Sequence, residues 1–358
     1  MSKSQIATGG IADDAVSTAK IFNDNRIVTP LIINGDMAVA QRGTQTTGIG
    51  ASDGYFTVDR FQYAKEGSPS ARFTISQSTV VPSGQGFSTS LKMDCTTAQS
   101  SLSAGDGFNI QQKIEAQNLQ LLRYGTSSAK KITLSFWVRA AKAGTNVVWI
   151  YQNDDARSQA QSYTISSTDT WEKKIINFVA DTTGVIDNNN GEGFRISWWL
   201  GAGTNFTSGS LATTWQSHSS AITAVGQVNN ADTSGNDFYL TGVQLEVGEF
   251  DSDTIPPFPF ESVGNNLEKC KRYYQKLGNT TDDYSFGRVA GNTNQYGIFG
   301  TVLPVTMRAD PTATLQVDPE NGGFSSVSMG HTGPNFVATD ATNSGWADIG
   351  TIEADAEL

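Results

Sequence analysis

The sequence predicts a mainly β protein: an antiparallel jelly-roll or β-sandwich with short helices, a smaller C-terminal β domain and an extended N-terminal arm. Three observations carry this. Charged residues are only 16 % of the 358, against a usual ~25 %, and Gly, Ser, Thr, Asn and Gln take their place. Those residues disfavour helix interiors and serve turns. Several segments alternate apolar and polar side chains with period two, as a half-buried strand does. Turn-rich stretches such as Asp187–Gly193 (DNNNGEG) and Gly201–Gly209 separate them.

Taken in order, residues 1–29 contain mostly small side chains around isolated Ile11, Val16 and Ile21. So thin a segment buries too little to fold alone. It reads as an arm that orders against sister chains or a larger assembly, with Ile11, Val16 and Ile21 as its contacts. Residues 30–255 form the jelly roll. In Lys131–Ala140 (KITLSFWVRA), Ile132, Leu134, Phe136 and Val138 alternate with Thr133, Ser135, Trp137 and Arg139. In Phe194–Leu200, Phe194, Ile196, Trp198 and Leu200 oppose Arg195, Ser197 and Trp199. Asn146–Tyr151, Trp171–Val179 and Phe238–Val247 are strand-like too. Gln111–Tyr124 carries a helical signal, either a short helix or a strand followed by a helical turn. Pro256–Phe260 (PPFPF) cannot continue a strand ladder and marks the boundary to residues 256–358. There, Asn265–Gln275 predicts a helix with Asn265 as N-cap and Glu268 completing a capping box. The chain beyond about residue 277 reads as β again.

Charge and rare residues narrow the function. With 24 Lys+Arg against 35 Asp+Glu, the net charge is −11, which argues against a nucleic-acid role and against charge-driven membrane binding. No apolar run approaches the ~18 residues of a spanning helix, and residues 1–20 lack the features of a signal peptide. Cys95 and Cys270 fit no metal or redox spacing and read as free, buried thiols. His218 and His331 sit in no nucleophile or metal motif. Asp187–Gly193 lacks the spacing of a calcium loop and reads as a turn. No catalytic residue, metal or cofactor is expected.

Several segments together resemble a widespread domain of bacteriophage tail-fibre and virion structural proteins. They are Asn34–Thr44 (NGDMAVAQRGT), Asp59-Arg60-Phe61, Gln112–Glu115, Leu134–Ala140, Val243–Glu249, Pro259-Phe260-Glu261, Cys270–Tyr274 and Met307–Thr312. The resemblance covers about residues 31–312; the Trp often found before Gln-Arg-Gly is Ala40 here. It implies a virion protein, made in the host cytoplasm, whose jelly roll is like a carbohydrate-binding module. The expected function is a tail-fibre or spike appendage that contacts host surface glycans. A head or neck decoration or adaptor protein is the alternative, and a polysaccharide depolymerase a further one. Expected partners are two sister chains in a homotrimer, tail, neck or head proteins bound through the arm, and host cell-surface polysaccharide. The motif residues themselves read as structural. Arg42, Asp59 and Arg60 are expected to pair across strand ends, Gly43 to allow a turn with positive φ, and the Cys270–Tyr274 helix to plug one end of the sandwich.

Sugar rings stack on aromatic faces while their hydroxyls pair with Arg, Asn and Gln. The polar strand faces offer Trp137 with Arg139, Trp149 with Tyr151, and Arg195 with Trp199 as carbohydrate-binding candidates. Packing of the same rings against a sheet, a helix or a neighbouring subunit is the competing reading.

Overall fold

The computed structural model describes residues 30–278, 287–291, 296–317, 334–340 and 345–358. The expected arm with Ile11, Val16 and Ile21 lies outside the described residues, as does His331.

The strands from Gln45 to Val247 form an antiparallel β-sandwich. Its strands are β1 (Gln45–Ile49), β2 (Gln62–Glu66), β3 (Arg72–Ser78), β4 (Ser90–Thr97), β5 (Gly107–Glu115), β6 (Ile132–Ala140), β7 (Gly144–Gln152), β8 (Arg157–Ile165), β9 (Glu172–Phe178), β10 (Glu192–Ala202), β11 (Gln216–Ser217) and β12 (Asp237–Val247). One six-stranded sheet has the order β1-β3-β4-β12-β6-β9, the other β11-β8-β7-β10-β5-β2. Consecutive strands cross repeatedly between the layers, as in a jelly roll.

Period-two patterning sets which side chains fill the space between the sheets. Ile132, Leu134, Phe136 and Val138 of β6 share one core with Phe194, Ile196, Trp198 and Leu200 of β10. Trp198 meets Phe136 edge-on, ring centroids 5.8 Å apart. The outer side of β6 is less polar in setting than its sequence implies. Thr133 and Ser135 are fully buried because the segment after β12 folds back over them. Thr133 Oγ1 donates to the Gly248 carbonyl at 2.9 Å, and Asn177 Nδ2 to that of Phe250 at 3.0 Å. The proline-rich stretch stays on this face. Gln244 Nε2 donates to the Pro256 carbonyl, and Phe258 and Phe260 each lie 5.1 Å from Phe87.

Gln111–Tyr124 takes the second of its two readings, strand through Glu115 and then a 3₁₀ turn, Ala116–Leu122. One local expectation changes. The following helix is Val263–Lys271, capped by Ser262 rather than Asn265: the Ser262 Oγ accepts from the Asn265 amide at 3.2 Å. The earlier start leaves Glu268 outside the first turn, and the chain turns to strand at Tyr274.

That strand, β13 (Tyr274–Gly278), begins the second β unit with β14 (Gly287–Gly291), β15 (Tyr296–Val302), β16 (Thr312–Val317), β17 (Pro334–Asp340) and β18 (Gly345–Asp355). β18 pairs with β13, β14 and β16, while β15 pairs with β17. The end of β18 returns to the sandwich and meets the motif residues there. Arg60 is 1 % exposed, pairs with Glu357, donates to the Lys113 carbonyl at 2.7 Å and stacks 3.4 Å from the Tyr273 ring. Arg42 pairs with Asp355 at 3.0 Å and stacks on Tyr274. Beside them Glu115, fully buried, accepts both forks of Arg272 at 2.7 Å and the Tyr273 hydroxyl at 2.6 Å. Arg42 and Arg60 thus join chain segments about 300 residues apart in sequence, a longer reach than the strand-end pairing expected of them, while Asp59 pairs with Arg42 at 3.9 Å as expected. Gly43 takes a φ of 120°, and Cys95 and Cys270 are free and buried.

This seam has a pH signature. Burial works to raise the Glu115 carboxyl, but the hydrogen bonds from Arg272 and Tyr273 outweigh it and hold it below its ordinary 4.5. A carboxyl depressed on folding stabilises the native state above its unfolded value, and that contribution is lost as pH falls through the folded value. Asp59 has the opposite sign: burial, against Gln41 and Arg42, raises it above 3.8, so its protonation favours the folded chain. Acid titration followed by fluorescence is therefore expected to show the Glu115 contribution lost as pH falls below its ordinary 4.5, and Glu115→Gln to flatten that acid limb.

Candidate functional site

The second sheet carries a cleft on its outer face, and strand register explains its lining. Asn109, Gln111 and Lys113 alternate outward along β5, and Arg195, Ser197 and Trp199 do so along β10. Pairing sets Arg195 opposite Lys113, Ser197 opposite Gln111 and Trp199 opposite Asn109. β7 places Tyr151 beside Arg195 and Trp149 beside Ser197. β2 adds Gln62 beside Gln111, and Ala64 beside Asn109. One cross-strand row therefore runs Trp149, Ser197, Gln111, Gln62, from an indole to paired amides. It crosses three strand intervals, about 14 Å at ~4.8 Å each.

Residues 203–224 fold over the other part of this face. Phe206 packs 5.3 Å from Trp199, and Trp149 sits 6.4 Å from Trp199, 5.5 Å from Tyr151 and 5.5 Å from His218. A small apolar cluster of Val147, Trp149, Ala160, Trp199 and Ala224 lies beneath. Gly107 is needed here: a Cβ would meet the Trp199 ring at 2.9 Å. The open remainder encloses about 190 Å³. That is below the ~300 Å³ of sites that engulf a drug-sized ligand, so a bound molecule must run out into solvent at its ends.

The cleft's polar groups fall into two kinds. Arg195 Nε and Nη2 reach Glu192 at 3.0 and 3.2 Å, and Lys113 Nζ lies 2.7 Å from the Leu358 carbonyl and 3.5 Å from Glu192. These cations are already partnered. Asn109 Oδ1, Trp149 Nε1 and Trp199 Nε1, by contrast, have no hydrogen-bond partner among the described groups. Buried polar atoms are rarely left so. Desolvation, then the charge of Arg195, push the His218 imidazole below its ordinary value, leaving it neutral at pH 7.

Four of the six candidates therefore come together: Trp149, Tyr151, Arg195 and Trp199. Their rings are not a bare platform. Trp149 is 8 % and Trp199 2 % exposed, because residues 203–224 and the neighbouring rings cover them. Trp137 and Arg139 lie on the outer side of the other sheet. There Trp137 adjoins Phe87 and Gly242, and Arg139 pairs with Asp169 at 3.0 Å and lies 4.9 Å from the Tyr239 ring. The sequence reading missed Gln62, Asn109, Gln111, Phe206 and His218. Asn109 and Gln111 carried a usable signal, alternation with Phe108 and Ile110. Among the described residues, no three His, Cys, Asp or Glu side chains gather as a metal-binding group, and no helix is long and apolar enough to cross a membrane.

No protein-family model matches this chain, and no curated protein matches it. Solved structures do. One is the enzymatically active domain of tailspike protein 4 from bacteriophage CBA120, at 12 % identity and a TM-score of 0.33; the match covers 61 % of this chain and 21 % of that one. Another is TmCBM61 in complex with β-1,4-galactotriose, at 10 % identity and a TM-score of 0.29, covering 62 % and 99 %. A third is the family 11 carbohydrate-binding module of a Clostridium thermocellum cellulosomal cellulase, at 13 % identity and a TM-score of 0.30, covering 58 % and 99 %.

Proposed function

We propose that this chain is a phage virion protein, a tail-fibre or spike appendage, whose sandwich holds a glycan of the bacterial surface in the cleft between β2 and β7. The observation that carries the binding role is the row Trp149, Ser197, Gln111, Gln62, flanked by Asn109 and Trp199 with their unpartnered polar atoms. Aromatic rings meet the apolar faces of sugar rings, and the amides of Gln62, Asn109 and Gln111 exchange hydrogen bonds with hydroxyls. The virion role rests on the order of the sequence motifs from Asn34 to Thr312. In this reading residues 1–29 join the chain to tail, neck or head proteins and to its sister chains in a homotrimer. Residues 30–255 bind, and residues 256–358 brace the sandwich. The role is retention without cleavage.

The test is binding of the full chain to an array of bacterial cell-surface polysaccharides, with release of reducing ends followed in parallel. Retention without release is expected. Gln111→Ala and Trp149→Ala are each expected to weaken it about tenfold or more, as loss of a central contact worth about 1.4 kcal/mol does. Unchanged melting of Gln111→Ala separates lost contact from lost fold. Absence of retention on every polysaccharide would overturn the reading.

A further inference from the structure

The charges of the cleft go further than its hydroxyl-binding groups and, given the binding role above, indicate which glycans it takes. Both cations that line it are occupied: Arg195 by a two-pronged contact with Glu192, and Lys113 by Glu192 and the Leu358 carbonyl. An acidic sugar would have to displace Glu192, itself mostly buried, from two partners at once. His218 adds no charge. Two carboxylates on the opposite wall are differently placed. Asp53 Oδ1 accepts from the Lys65 amide at 2.8 Å, and neither Asp53 nor Glu66 has an ion-pair partner among the described residues. Desolvation and the charge of Asp53 raise the Glu66 carboxyl. The whole chain carries −11. A carboxylate accepts hydrogen bonds and donates none, so Asp53 and Glu66 suit hydroxyl groups and repel uronate, sialate or phosphate groups.

We propose that the cleft selects uncharged, hydroxyl-rich glycans and turns away acidic ones, with Asp53 and Glu66 as the residues that set the preference. Both are exposed and hold no part of the core, so Asp53→Asn and Glu66→Gln should leave the fold intact. The preference is therefore separable from stability.

The experiment presents the full chain with neutral polysaccharides and with acidic ones, each acidic polymer also in carboxyl-reduced form. Oligogalacturonate beside the oligogalactose that carboxyl reduction gives is one such pair. Wild-type chain is expected to bind the neutral member at least tenfold more tightly. Raising salt from 50 to 500 mM should narrow that ratio by strengthening the acidic member alone. The double variant Asp53→Asn, Glu66→Gln is expected to gain about tenfold for acidic members, so that the neutral-over-acidic ratio of the wild-type chain collapses. Tighter binding of acidic members, lost on carboxyl reduction, would overturn the charge preference while leaving the cleft as a glycan site. Failure of every polymer to bind would overturn the binding role and the preference together.

Discussion

Glu357→Ala is expected to lower the unfolding free energy by about 3–5 kcal/mol, as removal of one partner from a buried ion pair does. The reason is what the substitution strands. Arg60 is 1 % exposed, and its other contacts are the Lys113 carbonyl and the Tyr273 ring. Neither carries a full negative charge. Arg42 would lose its contact with Glu357 as well, though it keeps Asp355. A guanidinium cannot shed its proton to escape a buried site, so the charge stays and the native state bears it. Stabilities of domains lie near 5–15 kcal/mol, which makes this a large share. Urea unfolding of Glu357→Ala beside wild type measures it. Pairing Glu357→Ala with Arg60→Met should cost much less than the sum of the single changes, because no orphaned charge remains. Loss below about 1 kcal/mol in the single variant would mean that Arg60 reaches water when Glu357 is gone.

The same seam shows where sequence reading stops. Alternation in β6 and β10 identified their inward faces, since Ile, Leu, Phe and Val at every second position have one physical use. It could not tell that Glu357 closes on Arg60 some 297 residues away, because nothing local to either residue encodes the other. The cleft was half legible for a related reason. Arg139 with Trp137 and Arg195 with Trp199 each set an Arg and a Trp on one face of a strand, yet one pair lies on each sheet. What distinguishes them is which loops cross the outer faces, and that is a tertiary property. β5 was obscured by a single residue. Gln112 points inward, where its amide accepts from the Ile33 backbone N–H at 3.0 Å and donates to its carbonyl at 2.9 Å. A buried polar side chain satisfied in this way breaks the apolar alternation, so Gln111–Tyr124 leaves helix and strand both open until the pairing is seen.

Adjacent tryptophans put the whole arrangement to a sharper trial. Trp198 and Trp199 are neighbours in β10, so their side chains leave the strand on opposite sides. Trp198 is fully buried between the sheets, against Phe136 at 5.8 Å and Phe61 at 6.3 Å. Trp198→Ala is expected to cost about 3–5 kcal/mol, the range for a large aromatic in a core that cannot close the space. Trp199 lies on the outer face beneath Phe206. There the short turn Thr204–Thr207 can settle toward a truncated side chain, and cavity cost falls with the freedom of a site to collapse. Trp199→Ala should therefore lose less stability than Trp198→Ala but at least tenfold in glycan affinity. Measured well below its lowered melting point, Trp198→Ala should keep most of its affinity. A reversed order, with Trp199→Ala the less stable and Trp198→Ala the weaker binder, would place the cleft on the wrong side of the sheet.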